Sequence, residues 1–549
     1  MKKIYLSAAA LFTCALMSAQ AFWTNTSYRG AFPVTDNTPA TDWTDSWANF
    51  DPENTVYPAG TQTVSSDITA NTTWSGTIVL ANRVFVKNNA VLTIQPGTII
   101  RGDNTTAGAE GCLTITKGAK LMAQGTKTAP IIFTSNQPVG NRAEGDWGGV
   151  ILLGKALNNQ PGGVANIEGL PVSTDTEFGG SDDNDNSGVL TYVRIEFAGI
   201  PLQPNKEING LTCGSVGKAT EIHHVQVSFC GDDSFEFFGG TVDCKYLIAF
   251  RGLDDDFDTD FGYRGRIQFG LIIRDPNLSD AAGDSNGFES DNDATGSPAQ
   301  PLTRAIFSNI TSVGAKGSGT VVLPGGEKFE KAFRIRRNSA ISVFNSLITG
   351  WEKGLSIEGS ATEDNITGDT SYFQNNSLVE IPANARCITA AMSFYGTFFG
   401  AEGNDTTTTI AQVNWVSPFT ALNVKPDYRL ASASTASTGA AFTNTVFSGG
   451  FTNLVKNTSD LFVTMTLYPN PSNANTKLFI NSKTNESLNL SVNVIDITGK
   501  VVLSPISNGS LSYGHNYIDI NTENLESGIY FVTVNAGKSK ETVKLIVTH

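Results

Sequence analysis

Asp232-Asp233-Ser234-Phe235-Glu236-Phe237-Phe238-Gly239-Gly240 is followed, 22 residues on, by Asp254-Asp255-Asp256-Phe257-Asp258-Thr259-Asp260-Phe261-Gly262. In this register Phe235 falls on Phe257, Glu236 on Asp258 and Gly240 on Gly262. A period of about 20 to 30 residues marks a solenoid, in which one short unit cannot bury its apolar side until neighbours stack on it. The repeat therefore sets the fold and also stacks carboxylates in a row.

Outward from this pair the register continues, with longer loops between some turns. Leu211 precedes Phe235, and Phe288, Phe333 and Leu355 follow Phe257. Side chains alternate across a strand, so this column is expected to point inward. The next column, Thr212, Glu236, Asp258, Glu289, Arg334 and Ser356, is then expected to point out.

A weaker echo at 29 residues sets Val84-Phe85-Val86 on Leu113-Thr114-Ile115, and Ala90 to Ile94 on Ala119 to Ala123. Short β-branched runs closed by Gly, Asn and Pro read as strands and turns. No stretch after the amino terminus keeps a 3.6-residue apolar period for three turns. With 54 glycines in 549 residues and 16% charged residues, this is a turn-rich all-β chain. Residues 51–455 are read as a right-handed parallel β-helix, with a β-sandwich as the alternative.

Met1-Lys2-Lys3, an apolar run from Ile4 to Met17 and Ser18-Ala19-Gln20-Ala21 have the form of a secretory signal peptide, residues 1–20. Leu11-Phe12-Thr13-Cys14 lacks the small residues of a lipoprotein site. No other segment is long and apolar enough for a spanning helix. Residues 21–50, with Trp23, Tyr28, Phe32, Trp43, Trp47 and Phe50, are expected to cap the open end of the solenoid. Cys112, Cys213, Cys230, Cys244 and Cys387 are odd in number, so at least one thiol is free. Cys244 stacks on Ile222 rather than on Cys230, so buried single thiols are expected instead of disulfides.

Residues 460–549 form a separate small β-sandwich. Tyr468-Pro469-Asn470-Pro471, Asp496-Ile497-Thr498-Gly499-Lys500, Ser527-Gly528-Ile529-Tyr530 and Lys544-Leu545-Ile546-Val547 occur in that order. The set resembles the type A sorting domain of cargo of the Bacteroidota type IX secretion system. That resemblance implies the type IX machinery as a partner, export across the outer membrane and a cell-surface or extracellular location. Gly145 to Gly154, Tyr192 to Gly199, Asp232 to Gly240 and Tyr263 to Phe269 resemble Bacteroidota surface proteins with β-helical bodies, a group without an established reaction.

Charge locates the chemistry. From Asp232 to Asp293 fifteen acidic residues face five basic ones, a local balance of −10 within a chain total of −15. Such a surface repels nucleic acid and anionic lipid and attracts cations. Rungs about 4.8 Å apart would set Glu236, Asp258 and Glu289 in one ladder with Asp260 and Asp291 beside it. Repulsion at that spacing calls for an offset, and Ca²⁺, with six to eight oxygen ligands, supplies one. A solvated acidic face without a metal is the alternative. Asp183 to Gly188 and Asp291 to Gly296 each fit the first half of a calcium loop, but Arg194 and Leu302 stand where the twelfth-position Glu belongs; both are equally well Asx turns.

Lys331, Arg334, Arg336 and Arg337 follow the acidic ladder, a layout that resembles β-helical polysaccharide lyases. There a metal acidifies a proton that a basic side chain removes, which makes Arg334, Arg336 and Lys331 the catalytic candidates. Carboxylate pairs such as Asp232 with Asp255 and Asp233 with Asp256 would serve a glycosidase, although a crowded ladder meets that spacing by chance. His223-His224 reads as a surface or packing pair. Phe238, Phe261 and Tyr263 are the candidates for stacking on sugar rings. Two functions stand: a monomeric, non-catalytic surface adhesin or glycan-binding protein with calcium on its ladder, or a calcium-dependent polysaccharide lyase or glycosidase acting on acidic glycans.

Overall fold

The computed structural model describes residues 22–105, 110–203, 206–280, 285–317, 329–389, 402–421, 423–447, 462–482, 488–497, 499–511, 514–536 and 539–549. The signal-peptide residues lie outside these.

Each turn of the body lays strands on three faces, and every pairing along the stack is parallel. The third face is a single run of strands: Arg83–Val86, Cys112–Ile115, Val150–Leu153, Leu211–Gly214, Phe235–Phe238, Phe257–Asp260, Phe288–Ser290, Lys331–Ile335, Lys353–Ile357 and Cys387–Thr389. The other two faces are joined by strands that bend. In Gly188–Glu196, Val189 pairs with Met122 on the first face, while Val193 pairs with Ile131 on the second. The bend between them is Tyr192, at φ +52. His224, Tyr246, Phe269 and Asn309 bend the next strands at φ +54, +58, +64 and +58. One left-handed residue per rung, stacked on its neighbours, thus turns each strand through a corner. The side chains offset the conformational cost by stacking: Tyr192 on His224, His224 on Tyr246 and Tyr246 on Phe269, with ring centroids 4.4, 4.4 and 5.0 Å apart.

The repeat register holds. Leu211, Phe235, Phe257 and Phe288 are successive partners, and Phe333 pairs with Leu355. All of them are buried, and the rings stack at 5.2, 5.2 and 4.5 Å from Phe235 through Phe257 and Phe288 to Phe333. Val84 pairs with Leu113 and Leu92 with Leu121, as the 29-residue echo requires. Cys112, Cys213, Cys230 and Cys244 are buried free thiols; Cys387 is a part-buried one.

Two expectations fail. Residues 22–50 do not cap an end of the solenoid; they lie along its side. Phe32, Trp47 and Phe50 pack on Phe197, Ile248, Phe250 and Leu271, residues on the outer surface of the second face and its edge. The segment reaches Ser377 through Arg29 and returns to Tyr192 at Trp47. Nor do the rungs continue to 455. The last described parallel contact between rungs is the Ser377–Asp405 bridge. Residues 410–447 then fold back as a short helix, Ile410–Val413, and an antiparallel pair, Trp415–Ser417 with Asp427–Leu430. They meet the amino-terminal strap through Val34 opposite Leu430 and through Arg29 N–H to the Ala436 carbonyl, 2.9 Å. The outer surface of the second face is apolar because it carries this double cover.

The carboxy-terminal strands form two antiparallel sheets over one core. Phe462–Tyr468, Asn475–Ser482 and Gly514–Asn521 face Val501–Leu511, Leu488–Ile495, Gly528–Ala536 and Ser539–Val547. Leu478, Ile480, Val492, Val494, Ile520, Val532 and Leu545 fill the space between. The Tyr-Pro-Asn-Pro motif has a structural task here: Asn470 donates to the Lys544 carbonyl and accepts from Ile546 N–H, both at 2.8 Å, pinning the last strand.

Candidate metal centre on the third face

The site begins two residues before the inward column. On successive rungs this position holds Asn209, Asp233, Asp255 and Asn286. The first three side chains each accept the backbone N–H of the same position one rung on. Asn209 Oδ1 takes Asp233 N–H at 3.3 Å, Asp233 Oδ1 takes Asp255 N–H at 2.9 Å, and Asp255 Oδ1 takes Asn286 N–H at 2.6 Å. An amide suffices for this ladder. The two central rungs use carboxylates instead, which leaves each with a second oxygen.

Those oxygens meet the column expected to point outward. Thr212, Glu236, Asp258 and Glu289 are register partners as predicted. The face is not solvated, however. Glu236 is 6% exposed and Thr212 2%. Residues between Val150–Leu153 and Leu211–Gly214 cover the neighbouring rungs, with Ile167, Leu170 and Phe178 packed on Ile151, Leu153 and Phe238. Within this partly covered face, Asp232 with Asp233 and Asp254, Asp233 with Glu236 and Asp258, and Asp255 with Asp258 and Glu289 form three groups. In each, the oxygens lie within 4.8 Å of one another. Two oxygens on opposite sides of one calcium ion, each at about 2.4 Å, are about 4.8 Å apart.

Electrostatics sharpen the point. Burial first, then the neighbouring carboxylates, push Asp233, Glu236, Asp255 and Asp258 well above the usual carboxylate range. The same causes raise Asp254 to about 8. Asn209 donates to Glu236, while Oδ1 of Asp258 is buried without a hydrogen-bond partner. No ion pair reaches Asp233, Glu236, Asp255 or Asp258 among the described residues. Carboxylates so placed hold either protons or a metal cation.

The remaining candidates divide. Glu236, Asp258 and Glu289 come together; Asp260 and Asp291 stay outside the groups. Asp260 Oδ1 accepts its neighbour Phe261 N–H at 2.6 Å, and Asp291 is ion-paired with Arg336 at 2.9 Å and Arg337 at 2.7 Å. Asp232, Asp233, Asp254 and Asp255 were not among the metal candidates read from the sequence, yet they belong to the groups. The pairing expected for a glycosidase is one residue out of step, since Asp233 stacks on Asp255 and not on Asp256. Asp256 points the other way, fully buried against Arg274 at 2.8 Å. The signal that could have found the ligands is the Asn-Asp-Asp-Asn column itself, where polar side chains occupy one repeat position.

The catalytic candidates are structurally engaged. Arg334 bridges Glu289 and Glu358, each at 3.2 Å, and Arg336 bridges Glu289 and Asp291. Burial works to lower both guanidinium pKa values, but the adjacent carboxylates outweigh it and hold them above their ordinary value. Lys331, 6% exposed, pairs with Glu330 at 2.8 Å. Tyr263 is a correction: it is fully buried, stacked on Phe237 at 4.5 Å and bonded through its hydroxyl to the Val242 carbonyl at 2.8 Å. Phe238 is also buried, under Phe178 and against Phe261. Of the three aromatics only Phe261 keeps partial exposure, because Phe238 lies under the covering loop and Tyr263 inside the core. The two calcium-loop matches are turns. Asp293 accepts Thr295 and Ser297 N–H at 2.8 and 3.1 Å, and Asp183 is held by Arg264 at 2.9 Å.

Residues 63–420 match the pectate-lyase-like β-helix domain, and residues 466–548 match the secretion system C-terminal sorting domain. No curated protein matches significantly. Among solved structures, the enzymatically active domain of tailspike protein 2 of bacteriophage CBA120 is 11% identical, with 86% of this chain and 72% of that chain covered. Its TM-score of 0.19 is too low to bear on function. The sorting domain makes the chain type IX secretion cargo, bound for the cell surface or the medium. With its family model spanning the three-faced body, the chain belongs to the pectate-lyase-like β-helix family.

Proposed function

We propose that this secreted β-helix holds calcium among Asp233, Glu236 and Asp258 and binds anionic glycan at the cell surface without cleaving it. The carrying observation is that group of carboxylates, Asp233 and Glu236 buried and Asp258 part-buried, within 4.8 Å of one another and without an ion pair among the described residues. Calcium suits a group built wholly of carboxylate oxygens, because it takes six to eight such ligands in adaptable geometry, whereas magnesium demands a near-ideal octahedron. Arg337, 42% exposed and paired with Asp291 near Glu289, adds a positive charge further along the same face for carboxylate or sulfate groups of a sugar chain.

Non-cleavage rests on Arg334 and Arg336. A lyase base must give up its proton, and the charges of Glu289, Asp291 and Glu358 oppose that at both residues. The second reading, a calcium-dependent lyase or glycosidase, is favoured by the family match and by the closeness of the carboxylates. The two separate on one preparation. Calorimetry should show calcium uptake, then salt-sensitive binding of uronate-rich polysaccharide. Incubation with the same polymers should yield neither an ultraviolet-absorbing unsaturated product nor new reducing ends. Product formed by the wild type and lost in Arg336→Ala would replace the binding reading with the lyase.

A further inference from the structure

Away from the carboxylates, consecutive imidazoles meet at a corner of the solenoid. Along an extended strand the side chains of neighbouring residues point to opposite sides. At His224 the backbone takes φ +54, and this turn brings His223 Nδ1 to 2.8 Å from His224 Nδ1. The two rings sit at 82° to one another. Glu221 Oε1, 3.2 Å from His223 Nε2, accepts that proton and leaves a lone pair on His223 Nδ1. The ring of His224 is fixed between Tyr192 and Tyr246 at 4.4 Å on either side, with Trp47 against it at 5.7 Å. His223 keeps 32% of its side chain exposed. The arrangement is a rigid imidazole, a reachable imidazole and a carboxylate orienting the second one, the usual support of a metal-bound histidine.

We propose that His223 and His224 chelate a divalent transition-metal ion through their Nδ1 atoms, in place of the one proton those atoms share. The spacing selects the ion. Nitrogens 2.8 Å apart, each about 2.0–2.1 Å from a metal, subtend about 85–90° there, whereas tetrahedral zinc would need them about 3.3 Å apart. A right angle suits copper(II) or nickel(II), with copper the stronger binder, and water completes the coordination. Occupation calls for His223, 32% exposed and not enclosed by rings as His224 is, to turn about its terminal torsion so that both lone pairs converge on the ion. The nearby cations are directed elsewhere. Lys127 is paired with Asp45 at 3.2 Å, and Lys245 lies over the Phe22 ring at 4.9 Å.

The test is copper(II) titration of the full chain in saturating calcium, read by calorimetry and by pulsed electron paramagnetic resonance. One equivalent is expected to bind with two imidazoles coupled to it. His223→Gln and His223→Ala should each leave one imidazole and weaken binding by at least about tenfold, with Glu221→Gln intermediate. Asp233→Asn should leave copper affinity unchanged, which separates this site from the calcium reading. A wild type that shows one imidazole or none, or that binds copper no more tightly than either His223 variant, would overturn the chelate.

Discussion

Asp233 does two things, and that division makes the candidate site testable. Its Oδ1 holds the Asp255 N–H, and its carboxylate also belongs to the acidic group. Asp233→Asn should keep the ladder bond, as Asn209 does one rung earlier, and lose the charge. The variant is expected to fold with a melting curve near that of calcium-free wild type, and calorimetry should show calcium uptake cut by at least about tenfold. Asp233→Ala, which also orphans the Asp255 N–H, should cost a further 1–3 kcal/mol or so. The raised carboxylates carry a pH signature. Asp254 has an ordinary value of 3.8 and stands at about 8 in the fold. Between those values the folded chain holds a proton that the unfolded chain has released, so Asp254 favours folding below about pH 4 and has lost its effect above about pH 8; the other raised carboxylates act in the same direction. In chelator, thermal stability should therefore fall as pH rises through that window. Added calcium should flatten the profile, because at 100 times its dissociation constant a ligand of the folded state contributes about 2.7 kcal/mol. A profile that is flat in chelator would mean that the carboxylates are not buried as described. The shared register of Glu236, Asp258 and Glu289 was legible in the sequence, since side-chain alternation follows from the repeat alone. Asp233 and Asp255 were passed over because their position looks like a turn until the rung-to-rung N–H bonds are seen.

Among the elements, the inward phenylalanine column was legible because every member repeats at one position. Phe257, fully buried and stacked on rings above and below, should cost about 3–5 kcal/mol when replaced by Ala, measurable by denaturant unfolding. The strap was not legible as a strap. Its aromatic residues announce that they need cover, but nothing in residues 22–50 says which surface supplies it. The clue lies in the partner strands: Leu247 to Phe250 and Leu271 to Ile273 are continuous apolar runs, the pattern of strands buried on both sides. Trp47→Ala should destabilise by about 3–5 kcal/mol, since the ring is fully buried on Tyr192 and His224. A segment that merely covered the first rung would leave hydrogen exchange at Tyr192 and His224 unchanged in that variant; exchange there should instead rise.

For the whole molecule, the sorting domain has its own core and its own edge-to-edge pinning through Asn470, and the four sequence motifs were enough to find it. Deleting residues 460–549 should leave a folded β-helix in the periplasm, detected by fractionation with a circular-dichroism spectrum still dominated by strand. Normal amounts of that truncation on the cell surface would refute the export role. The end of the body was overestimated because residues 410–447 have strand composition like the rungs, and only their antiparallel pairing sets them apart.

The contacts between residues 27–35 and 430–440 also bear on how the body would carry load. A stack of rungs open at its ends can fray one turn at a time, each turn giving way at its own small threshold. Here the Ala440 N–H bonds to the Ser27 carbonyl and Leu430 N–H to the Pro33 carbonyl, so the two ends of the chain are latched over the rungs between them. Were the protein tethered and pulled, tension entering near residue 447 would meet that latch before any rung. The rod would then fail at one high force, with little give beforehand, instead of paying out length turn by turn.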